Sequence, residues 1–183
     1  MALGSSPFSI RIQIDKKTLR STLGQLKKVR SKGYLRKAVR PGVNKAATIL
    51  NKEMKAQAKG VGDHSFGYAS SGDELIVSPK GLSKSIGIRR KTYAKTDWVI
   101  AVVGPRFDYI SKEGDSNISV APSKFAVFIE GMLPSDSMVR GATPFARPSA
   151  RKSVNAMKRV FIRSLKTGTA KVLGKLRSKG VKI

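Results

Sequence analysis

The sequence predicts an α+β domain: an antiparallel β-sheet of about four strands, flanked by a long bent N-terminal helix and a C-terminal helix. Three observations carry this expectation. Phe8, Ile10, Ile12 and Ile14 alternate with Ser9, Arg11 and Gln13, the period-two pattern of a strand with one buried face. From Lys16 the period lengthens to three or four, through Leu19, Leu23, Leu26 and Val29 and then Leu35, Val39, Val43, Ala46, Ala47, Leu50, Met54 and Ala58. Finally, the apolar run Trp98-Val99-Ile100-Ala101-Val102-Val103, closed by Gly104-Pro105, reads as the central strand of a sheet.

Taken in order, the two helical pieces meet near Gly33, and Pro41 falls inside the second. Proline supplies no N–H to a helix, so the spacing predicts a kink or restart there and an end at Gly60. Residues 60 to 81 hold Gly60, Gly62, Gly67, Gly72 and Gly81 among polar residues, which predicts a long mobile loop with a short hairpin arm at Leu75-Ile76-Val77. Ile86 and Ile88 start a strand that leads to a basic turn at Arg89-Arg90-Lys91, and Phe125 to Ile129 reads as a further strand. From Ser149 the chain is helical, with Val154, Met157, Phe161 and Leu165 on one stripe and Gly168 and Gly174 weakening its later part. Residues 1 to 183 make a single domain with extended loops at 61–79, 106–124 and 132–142 and a basic C-terminal tail.

The chain has 183 residues, 40% of them hydrophobic, enough for a core, and no cysteine, which excludes disulfides, thiol nucleophiles and thiolate metal sites. No apolar run reaches the roughly 18 residues of a membrane span, and the N-terminus lacks a signal-peptide pattern, so the expectation is a soluble protein used inside a cell. The net charge is +26. Arg11 to Lys59 carries 15 Lys/Arg against Asp15 and Glu53, and Arg151 to Ile183 carries 11 against none, so the excess sits at the two ends. Charge of that size attracts nucleic acid or an acidic protein surface.

Reactive chemistry finds little support. His64 stands alone in Gly62-Asp63-His64-Ser65, a glycine-rich setting that would hold a catalytic base poorly. Asp73, Glu74, Asp97, Asp108, Glu113, Asp115, Glu130 and Asp136 fall mostly in turns, as solvated acids do. Gly81-Leu82-Ser83-Lys84-Ser85 lacks phosphate-loop spacing, and no metal-ligand pattern or cofactor motif is present. The sequence therefore predicts no enzyme, no metal and no cofactor. Glu130-Gly131 and the segment Pro144-Phe145-Ala146-Arg147-Pro148-Ser149 form an assembly or docking candidate. Two prolines restrain Phe145, and they push Thr143 and Arg147 out of the α region. Behind them Arg151, Lys152, Lys158, Arg159 and Arg163 are candidates for contact with DNA or an acidic partner, the alternative being a charged face in water.

Several pieces in order resemble the minor tail-component family of long-tailed bacteriophages, the tail-completion or neck proteins that join tail to head. They are the helix before Gly60, Gly81-Leu82-Ser83-Lys84-Ser85-Ile86, the strand ending Val102-Val103-Gly104-Pro105, Phe128-Ile129-Glu130-Gly131, and Pro144-Phe145-Ala146-Arg147-Pro148-Ser149 with its helix. The match extends from about residue 10 to residue 173, and this chain departs from it in its longer loops and its basic charge. The resemblance implies a helix-flanked antiparallel sheet and a virion structural protein that forms a homo-oligomeric ring, a hexamer. Its partners would be the head-side connector and the tail tube or tail terminator, with genome DNA in the lumen in non-specific contact and no membrane. The charge alone supports a different expectation: a basic nucleic-acid-binding protein, ribosome-associated or DNA-packaging.

Overall fold

A computed structural model describes residues 32–67, 74–93, 98–110, 125, 126, 129, 130 and 143–180. In order these form helix α1 (Lys32–Lys59), strands β1 (His64–Gly67) and β2 (Glu74–Val77), helix α2 (Pro79–Ser85), strands β3 (Ile86–Tyr93) and β4 (Trp98–Pro105), and helix α3 (Ala146–Arg177). The expected strand at Phe8–Ile14 and helix at Leu19–Val29 lie outside the described residues.

The four-stranded sheet is not found. Among the described residues the strands form two separate two-stranded sheets, β1 with β2 and β3 with β4, and most of the core comes from helices. Phe125–Ile129 is one reason. Phe125, Ala126 and Ile129 are helical, and the Glu130 N–H donates to the Ala126 carbonyl at 3.0 Å, four residues back. A five-residue apolar run between turn signals fits either structure, and here the helical turn wins. Trp98–Pro105 is a strand, and among the described residues it pairs with β3 alone. Arg89, Arg90 and Lys91 lie inside β3 and do not form a turn.

β1 and β2 are the hairpin arm expected in the glycine-rich segment, antiparallel with His64 opposite Val77 and Gly67 opposite Glu74. α2 begins as its sequence dictates. Ser78 stands at the N-cap, its Oγ accepting the Gly81 N–H at 2.9 Å, and Pro79 occupies the first helical position, where its missing N–H costs nothing. The Ser83 hydroxyl donates to the Lys55 carbonyl of α1 at 3.1 Å, fastening α2 to that helix.

α1 is one continuous helix through Pro41 and stops at Lys59, where the Gly60 N–H donates to the Gln57 carbonyl. Its buried row is Ala38, Gly42, Ala46, Leu50, Met54 and Ala58, every fourth residue. Val39 and Val43, expected on that stripe, are only half-buried. α3 mirrors this with Ser149, Ser153, Met157, Phe161, Leu165 and Thr169, again every fourth position. Such rows are the ridges along which helices pack.

The chain divides into two compact units. One holds the described parts of Leu50–Ile88 and Val103–Lys152; the other holds those of Ile10–Ile49, Arg89–Val102 and Ser153–Ile183. In the first, Met54, Ala58, Leu82, Ile86, Ile129 and Phe145 are buried. In the second, α1 and α3 run antiparallel: a Cβ on Gly168 would stand 2.5 Å from the Ala38 carbonyl oxygen, and one on Gly42 3.1 Å from Phe161 Cδ2. Gly168 therefore admits the neighbouring backbone, and α3 continues to Arg177 past both glycines that were expected to weaken it.

Candidate assembly junction

The residues singled out before α3 converge on the start of that helix. A helix leaves four N–H groups without acceptors in its first turn. For α3 these belong to Phe145, Ala146, Arg147 and position 148. The Ser149 N–H already bonds the Phe145 carbonyl at 3.2 Å, which makes Phe145 the capping position. Glu130, only 2% exposed, satisfies three donors from a remote segment: Oε2 accepts the N–H groups of Phe145 and Ala146, each at 2.8 Å, and Oε1 accepts that of Arg147 at 2.8 Å. The fourth position is Pro148, which has no N–H. Every orphan donor of the turn is thus accounted for, and a carboxylate sits where the helix dipole favours negative charge.

Neighbouring groups hold the arrangement in place. The Thr143 N–H donates to the Ile129 carbonyl at 3.0 Å, so backbone pairing flanks the carboxylate. The Ser149 side chain, fully buried, donates its hydroxyl to the Phe145 carbonyl. Phe145 is itself 0% exposed, packed within its own chain.

This geometry corrects two expectations. Arg147 was expected outside the α region because a proline follows it, yet it lies within α3. The proline ring clashes with the carbonyl four residues back, and for Pro148 that residue is Pro144, which precedes the helix, so the first turn tolerates it. Glu130 does not end a strand; a helical turn delivers it to the helix start. Pro144, Arg147 and Pro148 are exposed around this buried centre, and Gly131 lies outside the described residues.

The five basic candidates behind the junction do not behave alike. Arg151, Arg159 and Arg163 are exposed, and Lys158 is half-buried. Lys152 is engaged: its Nζ lies 2.8 Å from Oε1 of Glu53 on α1. That ammonium, with the Gln57 amide donating at 3.1 Å, holds the Glu53 carboxyl below the usual carboxylate range.

Sequence reasoning missed the bond from the Ser149 hydroxyl to the Phe145 carbonyl, the capping role of Glu130 and the Ala38–Gly168 approach. A glycine and an alanine aligned with small residues four positions away, as in Ala38-x-x-x-Gly42-x-x-x-Ala46, was the available signal for the last. Arg106 was also missed; its backbone N–H donates to the Ser85 carbonyl at 2.9 Å, and its side chain crosses Gly87, where a Cβ would lie 2.7 Å from Arg106 Cδ.

His64 opens β1, and Gly81–Ser85 belongs to α2. Among the described residues no group of three His, Asp or Glu could hold a metal ion, and no helix is long and apolar enough to cross a membrane. No protein-family model matches the chain, and no match was found among curated proteins or solved structures.

Proposed function

We propose that this chain is a non-enzymatic structural protein of a tailed-bacteriophage virion. It forms a ring in the neck that completes the tail and joins it to the head connector, with DNA passing through the lumen. The observation that carries this reading is the capped start of α3. The motif residues Glu130, Phe145 and Ser149 are occupied with the chain's own backbone, and what they accomplish is to fix the first turn of α3 against the segment that carries Glu130. Residues spent on geometry suit a part whose work is docking.

The reading rests on this junction and on the ordered motifs that share it, and it does not need the sheet first expected. Pro144, Arg147 and Pro148, exposed on a buried and hydrogen-bonded base, offer a rigid outer edge to a neighbouring subunit. A closed ring requires each subunit to present two different surfaces, and the β1–β2 hairpin arm is the candidate for the second. Native mass spectrometry and electron microscopy test the proposal. A closed homo-oligomer, with the protein present in purified particles, supports it; a strict monomer absent from particles ends it.

A further inference from the structure

Positive charge is divided unequally between the two compact units. Among the described residues, the unit drawn from 32–49, 89–102 and 153–180 has sixteen Lys/Arg and no Asp/Glu, whereas the other has nine Lys/Arg and five Asp/Glu. In sequence the basic excess lay at opposite ends of the chain. The fold gathers parts of both ends into one unit, because Ala38 and Gly42 of α1 pack against Gly168 and Phe161 of α3.

On α3 the charge is also ordered. Asn155, Arg159, Arg163, Thr167, Lys171 and Lys175 stand every fourth residue, and all six are exposed. The row Ser153, Met157, Phe161, Leu165 and Thr169 is buried, so the two rows are separate i, i+4 ridges on opposite sides of the helix. Positions spaced by four rise together, and the exposed row extends for about 30 Å. Among the described residues none of its four cations is paired with a carboxylate; the ion pair of this helix is made by Lys152, outside the row.

We propose that this row is a sequence-independent docking surface for the phosphate backbone of a nucleic acid. Its chemistry matches a linear polyanion: two pairs of cations, Arg159 with Arg163 and Lys171 with Lys175, on either side of the neutral Thr167, and no carboxylate to repel phosphate. The row holds no aromatic group to stack on bases, and cations that contact phosphate oxygens carry no sequence information. A protein partner would be expected to meet apolar or aromatic anchors, and the row has none. A lipid surface would require an apolar strip beside the charges, and the apolar side of this helix is buried. The proposal adds a binding surface to the neck-ring reading without depending on it: a monomer that binds DNA sustains the surface and ends the ring.

The test is fluorescence anisotropy of the full chain with short duplex DNA of arbitrary sequence across a salt series. Tight binding is expected at about 0.05 M salt, with log K falling linearly against log salt concentration. The combined variant Arg159→Gln, Arg163→Gln, Lys171→Gln and Lys175→Gln is expected to flatten the slope by about 0.9 for each phosphate that is no longer neutralised. As these positions are exposed, circular dichroism should show an unchanged fold. A matched variant, Lys52→Gln, Lys59→Gln, Lys80→Gln and Lys84→Gln, removes the same charge from exposed sites of the other unit and should leave the slope nearly unchanged. Equal flattening in the two variants, no binding at about 0.05 M salt, or preference for anionic vesicles or polyglutamate over DNA would overturn the assignment.

Discussion

Helix α3 is held at its start and along its later half by opposite means. At the start, the Glu130 carboxylate, drawn from a segment 15 to 17 residues earlier, makes three directional hydrogen bonds to backbone N–H groups. Further along, the determining feature at Gly168 is a missing side chain, which lets the Ala38 backbone approach. The first interaction depends on charge and angle, the second on volume. They should therefore fail differently under substitution, and the contrast can be measured.

The largest effect is expected at Glu130. Glu130→Ala leaves three N–H groups without acceptors and should cost about 3 to 7 kcal/mol in denaturant unfolding, since each buried orphan costs about 1 to 3 and the part-buried Arg147 N–H sits at the low end. Glu130→Gln keeps one acceptor oxygen and should cost about half as much. A loss below about 1 kcal/mol for the alanine variant would mean that the cap contributes no directional stabilisation. Phe145→Ala comes next, at about 3 to 5 kcal/mol for a fully buried ring. Intact stability with impaired oligomerisation would move that ring from the core to an interface.

Two glycines on the same helix sharpen the volume side of the contrast. Gly168→Ala gains about 1 kcal/mol of helix propensity but meets a backbone oxygen at 2.5 Å, and overpacking of about 1 to 3 kcal/mol should make it a net loss. Gly174→Ala meets nothing within 4 Å and should stabilise the protein by about 1 kcal/mol. Thermal melts of the two variants should shift in opposite directions; equal shifts would remove the close approach from the account.

The smallest effect concerns the Lys152–Glu53 pair. Because the folded state lowers the Glu53 pKa, the stability it contributes is fully present above the unfolded carboxyl value of about 4.3 and is lost as pH falls below that through the folded value. Lys152 is 67% exposed, so the contribution should stay under about 1 kcal/mol. Unfolding of Lys152→Ala followed from pH 7 to pH 3 should show a correspondingly shallower loss than the parent chain.

How much of this was legible in the sequence depended on which physical signal each element carries. α1 and α3 were legible because Leu50, Met54, Phe161 and Leu165 recur at helical spacing. The hairpin arm was legible from glycines flanking Leu75-Ile76-Val77, and β4 from its apolar run. Phe125–Ile129 was misread because five apolar residues have no decisive period. The small members of the packing rows escaped notice because size drew attention to Val39 and Val43, whereas the closest approach selects Ala38, Gly42 and Gly168. Glu130 was singled out as part of a docking candidate, but the donors it serves are backbone groups, which no side-chain pattern reveals.

The absent N–H of Pro148 has an electrostatic consequence. A helix start commonly attracts phosphate because its free N–H groups and dipole form a positive pole. Here proline removes one donor and Glu130 occupies the other three, so the pole is closed by the chain's own anion. A polyanion approaching α3 therefore finds no end-on seat, and its attraction to this helix must come from the flank.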